Sequence, residues 1–63
     1  MPDVTVENHG SIFLFRPQTD EAEEWMDEFV QDGAMYFGNA LVVEPRYAMD
    51  LADGMMADGL EVE

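Results

Sequence analysis

The chain has no cysteine and no lysine, and among its 63 residues stand only two arginines, one histidine and one serine. Each absence closes a class of function. Without cysteine there is no disulfide to staple a small fold and no thiolate to hold a metal. Two cations against 15 Asp and Glu cannot displace counterions from a phosphate backbone or settle on an anionic membrane. The lone Ser11 lies two residues from the lone His9, a spacing that makes no Ser-His-Asp triad persuasive. His9, flanked by Asn8 and Gly10, reads as a hydrogen-bonding turn residue. No catalytic residue, metal ligand or cofactor is therefore expected. Asp50, Asp53 and Asp58 lack the alternating short spacing of a calcium loop. No apolar run approaches the ~20 residues of a membrane span. The opening MPDVTVEN is acidic where a secretory leader would be basic, so a cytoplasmic protein is expected.

What remains is acidic and apolar at once. The formal net charge is −13, yet 48% of residues are hydrophobic and seven are aromatic. That is too apolar for a chain kept disordered by charge. Residues 1–63 are read as a single acidic domain. A domain of this size buries only ~60% of its unfolded surface, so its stability has little reserve against self-repulsion.

Two segments repeat one pattern: SIFLFRPQTDEAEEWMDEFVQDG and NALVVEPRYAMDLADGMMADG each run from an apolar strand through a proline to an acidic helix and an Asp-Gly stop. Ile12 to Phe15 is the first core strand, ended by Arg16 and Pro17. The helix after it starts near Thr19 or Asp20, where Asp20 and Glu23 have capping-box spacing, and stops at Gly33. Ala22, Trp25, Met26, Phe29 and Val30 make its apolar stripe. Ala40 to Val43 is the second core strand, preceded by a short strand over Met35–Phe37 and a turn at Gly38-Asn39. Pro45 opens the second helix, whose inner face is Tyr47, Ala48, Leu51, Ala52 and Met55. Met49 and Met56 then point outward. Gly54 weakens this helix and Gly59 ends it. Val4 to Val6 alternates like a strand, with a turn at Asn8-His9-Gly10, and Leu60 to Glu63 is long enough for a last short strand. Arg16 and Arg46 pair with Glu44 or neighbouring acids. The expected fold is α/β (α+β): two layers, two amphipathic helices on one face of a three- to four-stranded sheet. Trp25, Phe29, Phe13, Phe15, Leu41, Val43 and Leu51 form the expected core. Truncating a buried Phe29 would then cost about 3–5 kcal/mol.

The stretch from Asp20 to Gly33 holds seven carboxylates in fourteen residues and no cation. Glu23/Asp27, Glu24/Glu28 and Glu28/Asp32 are like-charge pairs at i,i+4, each destabilising a helix by about 0.2–0.5 kcal/mol. Asp32 also opposes the helix dipole. Lysine at half of these sites would have given solubility and stability together. Carboxylates four residues apart lie ~6 Å apart along a helix axis, which compares with one phosphate per ~3.4 Å on each DNA strand. Such rows suit the basic groove of a nucleic-acid-binding protein, and complementary charge would speed association. The expected binding residues are Asp20, Glu21, Glu23, Glu24, Asp27, Glu28 and Asp32, with Asp50 and Asp53 on the second helix.

In acidity, size and rows of Asp and Glu on these same residues, the chain resembles small proteins of phages and mobile elements that inhibit host defence, the DNA-mimicking anti-restriction proteins and anti-CRISPR inhibitors of type I Cascade. The resemblance is one of character over the whole chain. It implies a non-enzymatic inhibitor, acting in the cytoplasm of a bacterial host on a basic nucleic-acid-binding partner such as a Cascade subunit. It implies no nucleic-acid or membrane binding, and a monomer or weak dimer. The stretches ENHGSIFLFRP and NALVVEPRY also resemble a small family of bacterial and phage genomes, which implies no activity. The alternative is a generic acidic or halophilic interaction module, antitoxin-like in binding one basic protein.

Overall fold

In the computed structural model, which describes residues 1–30 and 33–63, six elements follow one another. They are β1 (Val4–Asn8), β2 (Phe13–Pro17), α1 (Asp20–Phe29), β3 (Tyr36–Phe37), β4 (Ala40–Val43) and α2 (Pro45–Ala57). The four strands form one sheet in the order β1-β2-β4-β3, with every neighbouring pair antiparallel. This is the two-layer α+β fold expected.

Register decides which side chains face the helices. Val4 pairs with Pro17, Val6 with Phe15 and Asn8 with Phe13; Phe13 pairs with Val43 and Phe15 with Leu41. Because side chains alternate along a strand, Val4, Val6, Phe13, Phe15, Leu41 and Val43 share one face. The core gathers there: Val4, Phe15, Leu41 and Val43 pack with Ala22 and Met26 of α1, Ala48 and Met55 of α2, and Leu60. Phe15 and Met55 are its largest fully buried side chains.

Local chemistry explains the element ends. Gly38 takes φ +64 while, among the described residues, none other than glycine has positive φ, and Phe37 pairs with Ala40 across Gly38-Asn39. A glycine at the first of two loop positions is the requirement of a type II′ hairpin. Pro45 sits in the first turn of α2, with Glu44 as the capping residue. The C-terminal residues run parallel to β1 through a bridge from Val4 to Val62, with Val6 N–H donating to the Glu63 carbonyl at 2.7 Å and Glu63 N–H to that of Val4 at 3.0 Å. The expected last strand is therefore present as a short parallel edge, which occupies the open side of β1.

Several details differ from the sequence expectation. Strand β2 continues through Arg16 and Pro17, with Pro17 paired to Val4 beyond the end of the β2–β4 ladder at Phe15 and Leu41. The cap of α1 is Thr19, whose hydroxyl accepts from Ala22 N–H, and not an Asp20–Glu23 box. The helix ends at Phe29 with Val30 extended, before the Gly33 stop. Ending there leaves Phe29 57% exposed, its ring against Trp25 at 5.0 Å between centroids, so it is not core. Trp25, Phe13 and Leu51 are half-buried at the rim of the core. Tyr47 is 53% exposed, held at the surface beneath the Arg46 guanidinium 4.9 Å from its ring. Met49 and Met56 are exposed as expected.

Two stability predictions follow from this packing. Phe15→Ala is expected to cost about 3–5 kcal/mol, enough to unfold a domain of this size, whereas Phe29→Ala loses mainly a ring pair of about 1 kcal/mol; chemical denaturation of both variants checks the order. A Cβ at Gly54 would meet only Trp25 Cζ2, at 3.9 Å, an ordinary contact. Gly54→Ala should therefore stabilise α2 by about 0.5–1 kcal/mol, seen as a rise in Tm.

Candidate functional site: the acidic helix layer

Helix α1 is oriented by its apolar side. Ala22 and Met26 are buried and Trp25 is half-buried. That turns Asp20, Glu21, Glu23, Glu24, Asp27 and Glu28 to solvent, and all six are exposed. With 3.6 residues per turn, Asp20, Glu24 and Glu28 form one row and Glu23 and Asp27 a second. The second row overlooks a shallow cleft of ≈ 330 Å³ shared with Pro17, Met26, Tyr36 and Asn39. Asp32 lies outside the described residues. Asp50 and Asp53 are exposed on α2, a separate helix in the same layer.

Among the described residues, one side-chain hydrogen bond joins α1 to the C-terminal cap of α2. Trp25 Nε1–H donates to an Asp58 carboxylate oxygen at 2.7 Å, while the Trp25 ring edge lies against Gly54. Asp58 is thus the acid that fixes α2 to α1, a role that its sequence position does not announce.

The charges of α1 are uncompensated. Asp20, Glu21 and Glu23 in the first turn favour the positive end of the helix dipole, but no basic residue stands in the last turn, where Asp27 and Glu28 oppose it. Both arginines are engaged elsewhere: Arg16 Nε lies 2.6 Å from Glu7 and Arg46 Nε 3.2 Å from Glu44. The Arg46–Glu44 pair is the one expected, and Arg16 takes Glu7. Among the described residues, no carboxylate of α1 enters an ion pair.

Two other acids are shifted. The Glu7 carboxyl is held below its usual range by hydrogen bonds from Arg16 and then from His9, whose Nε2 lies 3.0 Å away. This uses His9 in a surface pair. Asp3 is lowered by the backbone N–H of Glu61 and then by the Thr19 hydroxyl. One oxygen accepts from Thr19 Oγ1 at 2.9 Å and the other from Glu61 N–H at 2.8 Å. Gln18 N–H donates to the Asp3 carbonyl at 2.7 Å. Asp3 therefore joins the start of β1, the cap of α1 and the C-terminal edge. Its partners lie 16 and 58 residues away, beyond the reach of any local sequence pattern.

Among the described residues no group of three His, Cys, Asp or Glu is placed to hold a metal ion, and no helix is long and apolar enough to cross a membrane. Compared with known protein families, curated proteins and solved structures, the chain shows no significant match.

The Asp3 clamp generates a pH prediction. Its folded-state pKa lies below the ordinary 3.8, so its contribution is present above that value and is lost as pH falls through the depressed one. Asp3→Ala should lower Tm at neutral pH. The gap to the wild type should narrow once pH drops below about 4, as thermal melts across an acid series will record.

Proposed function

We propose that this protein is a non-enzymatic binding protein whose helix layer imitates the charge of nucleic acid and occupies the basic groove of a nucleic-acid-binding protein. The concrete form of the proposal is an inhibitor of bacterial defence, acting in the cytoplasm of the host on a type I Cascade. The observation that supports it is the bare helix α1: six exposed carboxylates, with both arginines of the chain paired elsewhere. A helix under selection for stability alone would gain from i,i+4 cations at these positions. Asp50 and Asp53 extend the same sign onto α2.

The test is displacement of target DNA from purified Cascade. The protein should compete with DNA, bind no DNA itself, and lose affinity as salt rises, since exposed charges are screened over ~8 Å at physiological ionic strength. Glu24→Gln with Glu28→Gln removes two charges from one row of α1 and relieves a like-charge pair, so the fold should hold. Glu61→Gln with Glu63→Gln removes the same charge from the C-terminal edge; Asp3 is unsuitable for that control because it clamps the fold. The helix variant should lose at least about tenfold more affinity, equivalent to ~1.4 kcal/mol. Equal losses would reduce the effect to net charge, and no displacement of DNA would refute the Cascade proposal. Melting across a KCl series separates the halophilic alternative, which requires folding to fail at low salt and recover toward molar KCl.

A further inference from the structure

The helices cover one face of the sheet, and the other face is unusual. An antiparallel sheet with one solvated face normally alternates to polar residues there. Here the register places Met35, Val42, Leu14 and Glu7 in one row across the open face. Phe37 and Ala40 stand in the next row, as do Arg16 and Thr5. Ile12, Leu14, Met35, Phe37 and Val42 line a groove of ≈ 550 Å³. Met35 and Phe37 are 70% and 66% exposed, while Leu14, paired with Val42 on the central strands, is only 4% exposed. Among the described residues no helix lies over this groove.

Charge narrows what can cover it. Within the four strands the only carboxylate is Glu7, already paired with Arg16. Glu61 and Glu63 alternate with Val62, which packs toward the core, and so fall on the open side, but beyond β1 at the edge away from the apolar patch. The helix layer, by contrast, carries the six carboxylates of α1 and would repel its own image. A surface that meets itself across a two-fold axis must be self-complementary. The open sheet face, with an apolar patch and charges of both signs, meets this condition.

We propose that the open sheet face is the interface of a homodimer, in which two copies pack sheet against sheet around Leu14, Met35, Phe37 and Val42. Packed sheets lie ~10 Å apart, so the acidic helices become the outer layers, on opposite sides of the pair. A standard interface takes ~800 Å² from each partner, about a fifth of the 4292 Å² surface of this chain. The apolar patch covers only part of one face, so the dimer is weak, with a Kd of order ~10–100 μM. Because its contacts are apolar and each copy is strongly negative, added salt strengthens it by screening repulsion. That sign is opposite to the one expected for a partner on the acidic layer, so the two surfaces can be tested separately.

Sedimentation equilibrium over a concentration series spanning that Kd, at low and moderate NaCl, tests the dimer. The wild type should rise from 7.1 kDa toward twice that mass, at lower concentration in higher salt. Phe37→Glu and Met35→Glu alter exposed side chains and should remain folded by circular dichroism, yet stay monomeric. Met49→Glu adds the same charge at a 70% exposed residue of α2 and should dimerise as the wild type does. A wild type that remains at 7.1 kDa throughout would overturn the proposal. So would folded Phe37→Glu and Met35→Glu variants that associate as well as the wild type, or an apolar peptide that binds the groove of a strictly monomeric protein.

Discussion

Mutual repulsion among thirteen net negative charges is the constraint within which the rest of this structure is arranged. A chain this short has few buried side chains to set against it, and those it has are concentrated between the helices and one sheet face. The acids are accordingly sorted by position. Asp3, Glu7, Glu44 and Asp58 each have a partner in the fold. The carboxylates of α1 are turned to solvent, where the dielectric is high and their repulsion least. Negative charge thus serves two purposes on one chain, as connector at some positions and as exposed field at others.

The connectors explain how so small a core supports two layers. Asp3 brings three chain segments together with a single carboxylate, and Asp58 secures the two helices through the one tryptophan. Both are charge-assisted or polar bonds made near the surface, where desolvation is modest. Apolar packing supplies the bulk of the stability, while these bonds fix how the segments meet.

The broad fold was legible because it depends on periodicity. The apolar run of β2, the i, i+3, i+4 stripe of Ala22, Trp25 and Met26, and the proline opening α2 are local signals. Gly38-Asn39 is legible for the same reason, since the hairpin needs glycine in its first position. The misreadings arose where long-range geometry decided. Phe29 has the spacing of a core residue, but the helix stops at it, so little of the fold lies over its ring. Tyr47 likewise follows the inner-face pattern and is instead held outward beside Arg46. Of the candidate site, the exposure of Asp20 through Glu28 could be read from the same stripe that marks the buried side. The separate standing of Asp3 and Asp58 could not, because their partners are distant in sequence and nothing in a run of acids distinguishes a connector from a free charge.

The parallel bridge between Val4 and Val62 also bears on how the chain acquires its structure during synthesis. Strand β1 is completed by residues that follow it only after both helices have been made. Until residues 61–63 emerge, β1 lacks its outer neighbour and Asp3 lacks the Glu61 amide. The hairpin of β1 and β2 and the helix after it can form early from local contacts, but the closing contact joins residues 58 positions apart and carries the cost of bringing distant segments together. Completion of the sheet therefore waits on residues 61–63, and a nascent chain stalled before them would hold its helices on an unfinished sheet.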